Sequence, residues 1–167
     1  MDSYVITEVG EGDADLLASL IREAFATVAT ELGLTPENAP RHPSNCTPEW
    51  VRAAFAKGIR HFVLETPNGP AGCVALEQAD SEVCYVERLA VLPAHRRSGF
   101  GEALVDYAVG RARECGARRV ELGMVAAQTG LREWYEKLGF SLTSIVQFEG
   151  APFEVAFMRK YLEGGDG

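Results

Sequence analysis

Two glycines, Gly99 and Gly101, follow Arg96-Arg97 where a strand-like run gives way to a helix-like one. The strand-like run is Val83 to Val91, Pro93 turns the chain, and the helical pattern runs from Glu102 to Cys115. Glycines at such a junction remove side chains where main chain must come close to something. The first amides of the helix have no intrahelical acceptor, and the helix dipole adds partial positive charge there. With two arginines directly upstream, the segment forms a seat for a phosphate or pyrophosphate. It is not a Walker loop, which would place Lys-Ser or Lys-Thr where Glu102-Ala103 stands. Nor is it a dinucleotide fingerprint, which belongs near the first strand of a parallel domain.

Hydrophobic periodicity predicts the rest. Tyr4 to Val9 reads as a strand, and Ala14 to Glu31 as a helix with Leu17, Leu20, Ile21, Ala24, Phe25, Val28 and Leu32 on one face. Gly33 terminates that helix, and Pro36, Pro40 and Pro43 interrupt the stretch that follows. A second helix starts with Thr47 as N-cap and Pro48 in the first turn, and stops at Gly58. His61 to Glu65 and Ala71 to Gln78 are strands joined across Asn68-Gly69, and Glu82 to Val91 is the fourth strand. Beyond the phosphate-seat helix come a strand from Arg118 to Met124 and a helix from Gly130 to Leu138, capped by Thr129 and stopped by Gly139. Leu142 to Phe148 and Phe153 to Arg159 are the last strands. The order predicts one α/β domain over residues 1–162, a mixed sheet flanked by helices, with a short Gly/Asp tail at 163–167.

The formal net charge of −8 argues against nucleic acid, which requires clustered basic charge, and leans towards a cationic partner. No apolar run approaches the ~20 residues of a membrane helix. Met1-Asp2-Ser3-Tyr4 lacks the basic-then-apolar layout of a secretion signal, so a cytoplasmic location is expected. The four cysteines, at 46, 73, 84 and 115, form no close pair and have no histidine at ligand spacing. Free thiols are expected, with neither a metal site nor a disulfide framework.

Glu87-Arg88-Leu89-Ala90-Val91-Leu92-Pro93, the Arg-x-x-Gly-x-Gly turn after it, and Trp134-Tyr135-Glu136-Lys137-Leu138-Gly139-Phe140 together resemble the GNAT superfamily of acetyl-CoA-dependent N-acetyltransferases. The resemblance implies that family's acyl-CoA N-acyltransferase fold: a mixed, mostly antiparallel sheet of seven strands, four flanking helices, and fourth and fifth strands that splay apart at a bulge. It implies acetyl-CoA as co-substrate, its pyrophosphate held by Arg96, Arg97, Ser98, Gly99, Phe100 and Gly101. The pantetheine arm would pair with the backbone of Leu89, Ala90 and Val91 like an added strand. Gln128 stands where the family usually has Asn, seven residues before Tyr135, a departure at one cofactor contact. A homodimer through the late strands is compatible with the resemblance.

Acetyl transfer to an amine needs a neutral amine, a held tetrahedral oxyanion, and a proton for the departing thiolate. None of these needs a metal. Tyr135 is the candidate acid, because the resemblance places it facing the sulfur. Glu87, in a largely apolar strand, is the candidate base, and its alternative role is to attract a cationic acceptor. Strand alternation should point Arg88 to the opposite face. Free amides near Val91 are candidates for the oxyanion hole. His42, Asn45 and Cys46 fall in the region that lines the acceptor side in this family, while His61 and His95 are expected to be structural or solvated. A primary amine, small molecule or peptide, is the expected acceptor. A non-catalytic acyl-CoA sensor and a transferase for longer acyl groups stay open.

Overall fold

The computed structural model describes residues 3–162, so the expected tail at 163–167 lies outside the described residues. The elements run β1 (Val5–Val9), α1 (Ala14–Leu32), α2 (Pro48–Ala56), β2 (Arg60–Thr66), β3 (Gly69–Gln78), β4 (Val83–Val91), α3 (Phe100–Glu114), β5 (Arg119–Val125), α4 (Thr129–Lys137), β6 (Ser141–Gln147) and β7 (Glu154–Tyr161). The expected order of elements is present, with ends shifted by one or two residues. Gly33 closes α1 at φ 66°, and Thr47 Oγ1 accepts from the Trp50 amide at the head of α2. Thr129 is not the cap of α4. The Gln128 amide already turns back onto the Val125 carbonyl, so the helix begins one residue early and Gln128 takes the cap position.

Alternation along β2 and β3 sets the two core layers. Phe62, Leu64, Val74 and Leu76 face α3, where they meet Leu104, Val105, Ala108 and Ala112. Val63 and Cys73 face the other way, onto Leu17, Ala18, Ile21 and Ala24 of α1 and Val51 of α2. With helices on both faces, these strands read as nearly continuous apolar runs rather than alternating ones.

The seven strands form one sheet in the order β1-β2-β3-β4-β5-β7-β6. Every neighbouring pair is antiparallel except β4 with β5, which α3 connects as a crossover. That parallel pairing covers only Val83 to Tyr85 against Arg119 to Glu121. β4 then continues to Val91 and β5 to Val125 without partnering each other, so a crevice opens between their carboxyl-terminal halves. A register shift in the β3–β4 pairing lies at the same level, and Arg88 in the shifted segment has φ 53°. The fourth strand therefore bulges where it leaves the fifth.

Gly72 permits the close approach of β3 to the end of β4. A Cβ there would lie 2.5 Å from the Ala90 carbonyl oxygen and 3.2 Å from Leu104. Because the first obstacle is main chain, it cannot swing aside. Gly72→Ala is expected to cost about 2–3 kcal/mol, the upper part of the usual overpacking range. Urea unfolding followed by circular dichroism reads this directly, and an unchanged midpoint would contradict the packing described.

Candidate active site

Between β4 and the start of α3 the chain makes the turn Arg96 to Gly99, with Arg97 at φ 69° and Gly99 at φ 82°. Both residues sit in the left-handed region, which favours glycine and strains arginine. This conformation brings a run of amides together. Among the described residues, no main-chain oxygen accepts from the amides of Arg97, Ser98, Gly99, Phe100 or Gly101. Phe100 is buried and anchors the turn against Tyr4, with ring centroids 5.7 Å apart. Gly101 lets α3 pass close to α4, since a Cβ there would stand 3.3 Å from the Trp134 ring. The turn, Val91, Gln128 and Trp134 border a cavity of about 420 Å³.

Arg96 departs from its expected place beside a phosphate. Its guanidinium donates to the Val91 carbonyl, to Thr27 Oγ1 and to the Ala24 carbonyl, at 3.1, 3.1 and 2.8 Å. These bonds turn the side chain onto α1 and tie the turn to that helix. Of the two arginines, Arg97 alone keeps a guanidinium without a hydrogen bond or ion pair among the described residues.

The exposed edge of β4 starts where β5 leaves it. Leu92 donates across to Ala71 on β3, so the alternating Val91 amide faces the open β5 side. The Val91 carbonyl is engaged by Arg96, which leaves the amide as the free group there.

A larger cavity of about 760 Å³ lies between the parted strands and continues under two loops. Glu87, Arg88, Leu89, Met124, Gln128 and Tyr135 line it on the sheet side, and His42 and Phe153 on the loop side. Gln128 borders both this cavity and the one beside the turn. The structure thus brings Glu87, Tyr135, Gln128 and His42 to one space.

Tyr135 is buried, packed between Trp134 and Phe140 with centroid distances of 5.0 and 5.5 Å. Burial alone pushes its phenol well above the ordinary range, so the hydroxyl keeps its proton. Ordinary values of about 10 for a phenol and about 8.5 for a thiol already place full transfer to a thiolate uphill. A buried phenol widens that gap. The group is fitted to donate a hydrogen bond to developing charge, which is narrower than the acid role expected of it.

Glu87 is partly buried and its carboxyl is pushed up to about 7, first by burial and then by the neighbouring Glu77 carboxyl. Arg88 and Lys57 oppose that shift. Contrary to simple alternation, Arg88 lies on the same side as Glu87. The φ of 53° at Arg88 breaks the alternation, and both residues line the same two cavities. Arg88 also sits over the Trp50 ring at 5.8 Å.

The three residues expected on the acceptor side separate. His42 is buried between Phe25 and Phe153, at 5.8 and 6.3 Å between centroids, and its Nδ1 accepts from the Ser44 amide. Burial, then Arg88, lowers its pKa, so a neutral ring carries its proton on Nε2. Asn45 instead braces its own loop by donating to the Ala39 carbonyl. Cys46 is buried on the wall of a separate pocket of about 300 Å³. No cluster of metal-ligating side chains occurs among the described residues.

Glu77, Lys57, Phe25 and Phe153 do not stand out as site residues in the sequence pattern. Glu77 carried a usable signal, an acid closing the apolar run of β3 just as Glu87 interrupts that of β4. Phe25 reads only as part of a helix face, and Phe153 only as the start of a strand.

The profile of the acetyltransferase (GNAT) family matches residues 17–140, and the chain belongs to that family. It is therefore an acyltransferase enzyme. The uncharacterized N-acetyltransferase YjgM of Escherichia coli K12 is 28% identical over 131 residues, covering 77% of this chain and 76% of YjgM. The [ribosomal protein bS18]-alanine N-acetyltransferase of the same strain is 27% identical over 99 residues, 58% of this chain and 67% of its own. Among solved structures, the PaiA N-acetyltransferase of Thermoplasma acidophilum in complex with coenzyme A superposes with TM-score 0.76 at 15% identity, over 96% of this chain and 99% of its own. The yncA protein of Salmonella typhimurium, a putative acetyltransferase with acetyl-CoA, does so with TM-score 0.71 at 19% identity, over 99% and 98%. At such identities these two establish the fold. No described helix is long and apolar enough to cross a membrane.

The raised pKa of Glu87 makes a stability prediction. A carboxyl that ionises near 4.5 when unfolded and near 7 when folded favours folding fully only below 4.5. That contribution is lost as pH rises from about 4.5 to about 7. Glu87→Gln has no such loss. Its Tm relative to the parent is expected to be higher at pH 8 than at pH 4.5, by scanning calorimetry. An equal difference at both values would contradict a strained carboxylate.

Proposed function

We propose that this enzyme moves acetyl from acetyl-CoA to a primary amine by direct attack, with both substrates bound together. The observation that carries the proposal is the single crevice between β4 and β5. It runs from the amide-lined turn past the free Val91 amide to a cavity where Glu87 and Tyr135 face the same space. Acetyl-CoA as donor is supported by the family to which the chain belongs and by solved relatives of the fold that hold acetyl-CoA or coenzyme A.

In this reading the amides of Arg97 to Gly101 hold the diphosphate, with Arg97 alongside. The pantetheine arm lies along the open edge of β4, and Gln128 meets it from the head of α4. The thioester carbonyl points at the Val91 amide. Losing one such donor in acyl-transfer enzymes costs about 3 kcal/mol.

Glu87 removes a proton from the acceptor ammonium, and the neutral nitrogen attacks the carbonyl carbon. The carbon–nitrogen bond forms, the carbon–sulfur bond breaks, and the electron pair of that bond leaves on sulfur. Tyr135 donates a hydrogen bond to sulfur as the charge develops. The proton shed by nitrogen on amide formation balances the one that ends on the thiol. His42, with Phe25 and Phe153, forms an aromatic wall on the acceptor side of the cavity. An acidic chain suits a cationic acceptor.

A panel of amines assayed by release of free coenzyme A thiol tests the reaction, and at least one is expected to exceed the rate in buffer. With that amine, Tyr135→Phe is expected to lower kcat by about a hundredfold, the lower end of what losing one donor to developing charge costs, with KM for acetyl-CoA little changed. Wild-type kcat in the variant would remove Tyr135 from the mechanism.

A further inference from the structure

We infer that Glu77 is a positioning residue for Glu87, and that this carboxyl pair carries the acceptor's proton away through the small pocket behind the cleft. The inference rests on Glu87 acting as base. In the β3–β4 register Ala75 faces Glu87 and Glu77 faces Tyr85. Glu77 is thus the diagonal neighbour of Glu87 on one face of adjacent strands, within reach of a long side chain. Glu87 and Arg88 line both the large cavity and the pocket of about 300 Å³, whereas Glu77 lines only the pocket. Glu87 therefore stands as a partition, with the acceptor cleft on one side and a second space on the other.

Several segments around that pocket contribute charged or titratable groups, while α1 and α2 themselves present only Ile21, Trp50, Val51, Ala53 and Ala54. The charged or titratable groups are Cys46 from the α1–α2 connection, Lys57 after α2, His61 from β2, Glu77 from β3, and Glu87 with Arg88 from β4. Burial pushes His61 down to about 4 and raises the Cys46 thiol, so both are neutral near pH 7. Among these, Glu77 is the second carboxyl group, reaching Glu87 from the neighbouring strand. Two neighbouring carboxylates resist joint ionisation, and the pair titrates as a unit. Glu77 thereby makes Glu87 a stronger base, and Arg88 and Lys57 keep the doubly charged state accessible.

The steps balance. The acceptor ammonium gives one proton to the Glu87 carboxylate and becomes a neutral amine. Protonated Glu87 passes it to the Glu77 carboxylate. Protonated Glu77 releases it to water in the pocket, and both carboxylates are restored. The proton leaves on the side away from the next incoming ammonium.

The test is carbon-13 NMR titration of the glutamate carboxyl groups in the protein alone, which needs no knowledge of the acceptor. Glu87 is expected to titrate near pH 7 in the parent, about one unit lower in Glu77→Gln, and near the parent value in Glu77→Asp. An unmoved Glu87 midpoint in Glu77→Gln overturns the pairing. If Glu77→Gln fails to fold, the parent decides. Paired carboxyl carbons show steps at shared pH values, and independent single titrations overturn the inference. The base assignment fails separately. If Glu87→Gln keeps the parent's rate and pH profile with an active amine, Glu87 is not the base, even where the NMR coupling is present.

Discussion

The parting of β4 from β5 after three residue pairs is the constraint on which the rest of this structure depends. A parallel pair held along its whole length would fill its own hydrogen bonds and leave no crevice. Here the crossover helix α3 leaves from the parted end, so its unpaired amides, the open edge of β4 and the side chains of the bulge all gather there. The left-handed residues Arg97 and Gly99 and the displaced Arg88 mark the places where the backbone is bent to produce this. Strain of this kind persists where surrounding packing over-determines it. Gly72 and Gly101 show that packing from the other side: main chain leaves no room for a methyl group at Gly72, and the Trp134 indole would stand in tight contact with one at Gly101.

Electrostatics at the site run against stability. Glu87 stands partly desolvated beside another carboxylate, and Tyr135 holds its hydroxyl where ionisation is strongly disfavoured. A fold optimised for stability alone would place neither group so. Both conditions shift proton affinities away from their ordinary values, leaving a carboxyl near neutrality beside a phenol that stays protonated, the kind of perturbation that gathers at functional sites.

Much of this was legible in the chain. Gly33, Thr47 and the Arg96–Gly101 turn announce their elements because their signals are local, fixed by one residue's conformational range or one side-chain acceptor. Glu87 and Tyr135 were visible as chemistry-bearing residues in distinctive surroundings. What sequence did not disclose depends on contacts distant along the chain. The turn of Arg96 onto α1 joins residues 69 and 72 positions apart. The side on which Arg88 lies follows from a bulge that breaks alternation, and the Glu77–Glu87 neighbourhood follows from strand register. His42, Asn45 and Cys46 lie within five residues of one another yet serve three different surroundings, because a tight turn at Pro43–Asn45 rotates each in a new direction.

The three donors of Arg96 have a consequence for how such an enzyme changes its acceptor. They fasten the Arg96–Gly99 turn to Ala24 and Thr27, on either side of Phe25, which borders the larger cavity. On the proposed function, donor anchorage and acceptor selection share one stretch of helix. A lineage that reshapes that stretch for a new amine inherits a mechanical debt at the coenzyme end, and the adjacent proline-broken loop is the freer ground on which selectivity can drift.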